Sequence, residues 1–254
     1  MVLMSDLGHS MSDMRVKLIM IFAVLCLLIT PLSQAEPARL TIACAANFSA
    51  TMNKLVELYV TQSQQKLDIR VSVGSSGALA SKIHHGAPYD LFFSADTDFI
   101  DQLLKAGKGR ERHTYAVGDI VLYSLQQRDG VLSDWLTKIP AATVAIANPQ
   151  LAPYGRAAQS ILEHQGLTPR KQVQGTSVLH AFQFVETGHA EYGFIARSLL
   201  QREVKGSWHA IPPDWYEPIS QDAMLITNSS HARAFFDFIK SEQAQLLIRA
   251  SGYR

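Results

Sequence analysis

Apolar and polar residues along this chain recur with two different periods. Leu67, Ile69, Val71 and Val73 alternate with polar neighbours, the signature of a strand with one buried face. Shorter apolar runs at residues 40–43, 91–93, 120–123, 143–147 and 192–196 read as buried strands. Between them the spacing becomes helical: Met52, Leu55, Val56 and Tyr59; then Ala158, Ile161 and Leu162; then Val178, Leu179, Phe182 and Val185. Gly86, Gly166 and Gly188 fall where such helices should stop. Strands alternating with helices predict an α/β fold built on mostly parallel sheet. No repeat, low-complexity stretch or long linker interrupts the pattern.

The first 35 residues follow neither period. Arg15 and Lys17 precede an apolar run at residues 18–29, followed by Pro31, Ser33, Gln34 and Ala35. A basic start, a short apolar stretch and small residues at Ser33 and Ala35 describe a cleavable secretory signal. Cleavage is expected after Ala35, giving a periplasmic mature chain; Met11 and Met14 are alternative starts. About 12 apolar residues are too few to cross a bilayer. Cys26 lies within the signal, and Leu25 stands before it where lipid attachment needs a small residue. Cys44 is then the one cysteine of the mature chain, so no internal disulfide is expected. With 47% hydrophobic and 18% charged residues, the chain can bury a substantial core. Lys plus Arg (23) nearly balance Asp plus Glu (22), so no overall field draws the protein to nucleic acid or to an anionic membrane.

One arrangement recurs four times: a strand, a short loop of small or polar residues, then a helix. The loops are 45–49 (Ala-Ala-Asn-Phe-Ser), 74–77 (Gly-Ser-Ser-Gly), 148–155, and 175–178 (Gly-Thr-Ser-Val). In α/β sheets ligands sit at the carboxyl ends of strands. Helix N-termini there present unpaired N–H groups and a positive dipole end, which favour anions. Two loops fall in each half of the chain, as two lobes sharing one ligand would require. None of the four contains Asp or Glu. A site of neutral donors, with no acceptor for a ligand proton, selects a fully ionised oxyanion over hydrogen phosphate.

Each candidate also has a plainer structural role. Ser, Asn and Gly before a helix are first of all caps and turns. The Gly74–Gly77 loop is neither a Walker loop, since no Lys-Ser/Thr pair closes it, nor a nucleophile elbow, since Ala78 stands where the last Gly should be. Asn47 can be an N-cap and Tyr154 a packed aromatic; Val178 can serve a ligand only through its backbone N–H. Asp90 is expected as a turn residue and Asp96 as a cap for a helix at 99–104. His84 and His85 read as a solvated helix end, with a metal site as the alternative. Residues 214–216 (Asp-Trp-Tyr) read as aromatic packing between lobes, and Arg156 is expected to point to solvent.

Four segments together are similar to the periplasmic molybdate-binding proteins of ABC transporters. They are 43–48 (Ala-Cys-Ala-Ala-Asn-Phe), 74–77, 86–96 (Gly-Ala-Pro-Tyr-Asp-Leu-Phe-Phe-Ser-Ala-Asp) and 147–155 (Ala-Asn-Pro-Gln-Leu-Ala-Pro-Tyr-Gly). The resemblance runs in order from about residue 39 to 253. It implies a two-lobed type II periplasmic binding fold, with molybdate or tungstate held between the lobes and no cofactor or direct metal-ion ligand. Carried over by position, the ligand contacts fall on Asn47, Ser76, Tyr154 and the backbone N–H of Val178. Ala46 stands where some relatives have Thr, so only its backbone is left to contribute. The crossings between lobes are expected near 115–118 and 217–221, giving lobe 1 as 36–117 plus 222–254 and lobe 2 as 118–221. The resemblance also implies an inner-membrane permease as partner, a monomer, and no catalytic activity. Three other readings compete: a receptor for sulfate or another oxyanion, a hydrolase using Ser76 as nucleophile, and a sensory module of a regulator. The hydrolase would need a His base and an acidic orienter beside Ser76. The signal segment and the absence of a DNA-binding segment weigh against the regulator.

Overall fold

The computed structural model describes residues 38–63, 67–200 and 205–254; the signal segment and its cleavage point lie outside the described residues. Among the described residues ten strands form two five-stranded sheets, in keeping with the expected α/β class. The first contains β1 (Ala38–Ala45), β2 (Leu67–Gly74), β3 (Leu91–Phe93), β4 (Glu111–Gly118) and β10 (Ile219–Leu225), in the order β2-β1-β3-β10-β4. The second contains β5 (Ile120–Ser124), β6 (Thr143–Ala147), β7 (Lys171–Gly175), β8 (Tyr192–Ala196) and β9 (Ser207–Ala210), in the order β7-β6-β8-β5-β9. Among the described residues eight helices surround them: α1 (Ser49–Ser63), α2 (Ser76–His84), α3 (Asp98–Lys105), α4 (Leu132–Leu136), α5 (Pro153–His164), α6 (Val178–Glu186), α7 (Ser230–Ile239) and α8 (Glu242–Ala250).

The two sheets share one plan. β1 pairs in parallel with β2 and β3, and β6 does the same with β7 and β8. One reversed strand in each sheet, β10 or β5, then lies antiparallel to both of its neighbours. The sheets are therefore mixed rather than mostly parallel, with the reversed strands at the passages between them. β4 ends at Gly118 and β5 begins at Ile120, while the chain returns from β9 to β10 through residues 211–218. Antiparallel neighbours need no helical crossover. This part of the topology therefore left no helical spacing to read.

Burial explains why β1 was visible beforehand, whereas the edge strand β2, with no fully buried residue, was read from its alternation. β1 lies under helices on both faces: Leu40, Ile42 and Cys44 join one apolar cluster and Ala43 another. A strand covered on both sides reads as a continuous apolar run. By contrast β4, β7 and β9 are sheet edges, and β7 carries only Val173 as a bulky apolar residue. β10 is central but has Gln221 and Asp222 buried in its middle, which breaks its apolar run. Trp215 and Tyr216 belong to the core of the second sheet, Trp215 lying 5.9 Å from the His164 ring.

Candidate functional site

The four loops singled out above converge. The carboxyl ends of β1 and β2 and those of β6 and β7 enclose a small cavity of about 10 Å³. The first lobe contributes Ala45, Ala46, Asn47, Ser75, Ser76 and Ala95; the second contributes Ala152, Pro153, Tyr154, Ser177 and Val178. All five expected residues, Ala46, Asn47, Ser76, Tyr154 and Val178, line it together, and no lining residue is charged.

Local sequence shapes each wall. A short 3-10 turn, Ala46–Phe48, follows β1 and opens at the cavity. Ser76 is the first residue of α2; its Oγ accepts the Ala95 N–H at 2.9 Å, so its own proton remains available to donate. Pro153 opens α5, where its missing N–H costs nothing, and fixes Tyr154 in the first turn. Gly155 permits the close turn beneath, because a Cβ there would meet the backbone of Ala147 and Asn148. Val178 opens α6, and its N–H belongs to the first-turn group that a helix cannot satisfy internally.

The Asn47 and Tyr154 side chains are both buried and meet the same residue. Asn47 Nδ2 donates to Gln221 Oε1 at 2.9 Å and to the Tyr253 hydroxyl at 3.0 Å. Both of its amide hydrogens are thereby used, leaving Asn47 its backbone N–H toward the cavity. The Tyr154 hydroxyl accepts from Gln221 Nε2 at 3.2 Å. Burial pushes the Tyr154 hydroxyl well above its usual pKa, so it stays a neutral donor.

Two expectations about charge need revision or detail. Arg156 does not point to solvent: its Nη2 lies 2.6 Å from Asp96 Oδ2, a bridge from α5 to the first lobe. A buried carboxylate at the mouth of α3 attracts the guanidinium and holds it there. Asp96 does act as a cap, accepting the Phe99 N–H at 3.3 Å. Burial raises its pKa, and the Arg156 hydrogen bond and charge oppose that rise. Asp90 ties a turn, accepting from Thr41 N–H and from the Thr41 and Thr227 hydroxyls. His84 and His85 are exposed at the end of α2, and among the described residues no histidine hydrogen-bonds Ser76. Gln221, Tyr253 and Tyr115 escaped the sequence reading, since partners 67–206 residues apart leave no local signal. The available hint was a polar Ser-Gln-Asp run, residues 220–222, inside a strand that ends in Ala223, Met224 and Leu225.

A neutral, donor-lined cavity between two α/β lobes of matching strand order defines a two-lobed solute-binding protein. The chain belongs to the bacterial extracellular solute-binding protein family, whose model matches residues 40–254. It is 38% identical over 233 residues to the molybdate-binding protein ModA of Azotobacter vinelandii, covering 86% of this chain and 91% of that one. It is 34% identical over 220 residues to ModA of Rhodobacter capsulatus, covering 83% and 86%. The solved structure of the Azotobacter vinelandii periplasmic molybdate-binding protein superposes with a TM-score of 0.80 at 32% identity, covering 85% of this chain and 98% of that one.

Proposed function

We propose that this protein captures molybdate or tungstate in the periplasm and delivers it to an inner-membrane permease of an ABC transporter. The observation that carries the reading is the cavity itself. Asn47, Ser76, Tyr154 and Val178 bring neutral donors from both lobes to one small volume, and no carboxylate is among the lining residues. A shell of fixed donors suits a doubly charged tetrahedral anion. Hydrogen phosphate would bring a proton that no acceptor there receives, and a buried polar group left unpaired costs about 1–3 kcal/mol. The names of the curated relatives narrow oxyanion to molybdate. In this reading the lobes are residues 36–117 plus 222–254 and residues 118–221, the mature protein is a monomer starting at Glu36, and it turns nothing over.

A thermal-shift series on the mature chain with molybdate, tungstate, sulfate and phosphate tests this. A ligand bound only by the native state at 1,000 times its Kd adds about 4.1 kcal/mol of stability. Molybdate and tungstate should raise the melting temperature comparably, because fixed donors scarcely distinguish two anions of nearly equal size and charge. Sulfate has shorter bonds and misses some donors, so it should bind at least about a hundredfold more weakly, a gap of roughly 2.7 kcal/mol. Equal shifts with sulfate would replace molybdate by a general oxyanion in this reading. No shift with any of the four would overturn it.

A further inference from the structure

Gln221 lies where both passages between the lobes meet the cavity. It is fully buried on β10, immediately before an irregularity in the β10–β4 pairing. Such bulges re-aim side chains beside functional sites. Gly118, at the end of β4, makes room for it: a Cβ at Gly118 would fall 2.6 Å from Gln221 Nε2 and collide with the Tyr154 hydroxyl. Its Oε1 accepts from Asn47 and from Tyr115, and its Nε2 donates to Tyr154, so residues of both lobes hold this amide.

The directions of these hydrogen bonds follow from one fixed point. The backbone carbonyl of Asn47 can only accept, so the Tyr253 hydroxyl 2.8 Å away spends its proton there. That hydroxyl must then accept from the Asn47 side chain, which places Nδ2 toward it at 3.0 Å. The second Nδ2 hydrogen points at Gln221, so the atom facing it is Oε1, which also receives the Tyr115 hydroxyl at 3.0 Å. Gln221 Nε2 is thereby turned to Tyr154, whose oxygen accepts. With its oxygen engaged, the Tyr154 hydroxyl has its proton left for the cavity.

We propose that Gln221 is a positioning residue that fixes Tyr154 as a hydrogen-bond donor to the bound oxyanion and couples that donor to Asn47 in the opposite lobe. The inference rests on the reading of the cavity as an oxyanion site. A hydroxyl free to rotate could present lone pairs to an anion; one already accepting from Gln221 presents its proton. Gln221 touches no ligand in this scheme and acts through its neighbours.

Titration calorimetry with molybdate on wild type, Gln221→Met, Tyr154→Phe and the double variant tests the proposal, with circular dichroism confirming the fold of each. Gln221→Met should weaken binding by tenfold or more. In the Tyr154→Phe background the same change should cost clearly less, because the hydroxyl it positions is gone. Unchanged affinity in Gln221→Met, or losses that multiply in the double variant, would overturn the inference while leaving the site reading intact. Wild type binding no molybdate, tungstate or sulfate would overturn the site reading and the inference with it. Should Gln221→Met fail to fold, Gln221→Glu decides the question. Its carboxylate keeps the shape but takes the Tyr154 proton, so affinity should fall by more than a hundredfold with the fold retained; undiminished binding would overturn the proposal.

Discussion

Two spaces lie side by side between the lobes, sharing Ala95 and Pro153 as a wall. One is the small cavity lined by neutral donors. The other is a cleft of about 390 Å³ whose lining includes Asp96, Asp98, Arg156 and Glu217. The division of charge between them is informative. A cation inside the cavity would attract any anion by roughly 4 kcal/mol at 4 Å, whatever its shape. Neutral donors contribute only when each finds its oxygen, so they discriminate by geometry. The charges stand one layer away, where Arg156 bridges to Asp96 and joins the lobes. On the proposed function, recognition and lobe contact fall to different chemistries, and substitutions can separate them.

The largest effect should come from a backbone hydrogen bond that joins the two lobes. The Gly77 N–H donates to the Leu151 carbonyl at 2.9 Å, first lobe to second. A Cβ at Gly77 would stand 2.8 Å from Phe99 Cζ and 3.1 Å from the Leu151 backbone. Gly77→Ala should therefore hold the lobes apart while leaving each sheet intact. Losing the hydrogen bond and adding strain should cost roughly 2–4 kcal/mol, a drop in affinity of about a hundredfold. Calorimetric titration with molybdate reads the loss, and wild-type affinity would show that Phe99 and Leu151 yield easily.

Ser76→Ala comes next. On the proposed function it deletes a donor to the anion, and it leaves the buried Ala95 N–H without its acceptor. Affinity should fall by about 1.5–3 kcal/mol, or ten- to a hundredfold. Circular dichroism should be unchanged. Unchanged affinity would reduce Ser76 to a partner of Ala95.

How much of this was legible beforehand differs between the two spaces. The cavity was readable because its groups occupy loops that local sequence specifies: Gly74–Gly77, Pro153-Tyr154, and Ser177-Val178. Strands β1 and β6 announced themselves by apolar runs, and the loops follow from where those strands end. The charged cleft was not readable. Nothing near Arg156 indicates that residue 96 lies within reach, so solvent was the reasonable expectation. Edge strands β7 and β9, half exposed and thinly apolar, were silent for the same physical reason: little buried surface leaves little pattern.

Breaking the charged contact should cost less, and the cost should depend on pH. Asp96 is mostly buried, whereas the Arg156 side chain remains 41% exposed. Arg156→Met leaves a buried carboxylate unpaired, while Asp96→Asn leaves an arginine that water can still reach. The first should destabilise by roughly 1–2 kcal/mol at neutral pH and the second by less, after discounting for solvent exposure. Burial already raises the Asp96 pKa above 3.8, and loss of Arg156 raises it further. A raised native pKa means the folded protein keeps a proton that the unfolded chain releases. Stability therefore falls as pH rises from about 3.8 through the native value. The Arg156→Met deficit should accordingly shrink on acidification, as melting curves at two pH values will show; a deficit independent of pH would assign it to lost packing.

The smallest effect separates two serines in matching positions. Ser75 precedes α2 and Ser177 precedes α6, both with extended backbone and both on the cavity wall. Ser177 Oγ caps its helix, accepting the His180 N–H at 3.3 Å, whereas the Ser75 side chain makes no cap bond. An N-cap hydroxyl is worth about 1 kcal/mol. Ser177→Ala should therefore lower unliganded stability by about that amount, and Ser75→Ala, whose hydroxyl caps nothing, should change it by less than about 0.5 kcal/mol, below the cost of a lost cap. Chemical denaturation without ligand measures both. The same pair with molybdate present then asks whether the Ser75 hydroxyl, free of helical duty, serves the anion instead. A stabilisation by molybdate smaller in Ser75→Ala than in wild type would add Ser75 to the donor shell, and an equal one would leave it as wall. If Ser75→Ala proves the more damaging change without ligand, the contrast drawn from the two caps is wrong. The two helix starts would then have to be treated as alike.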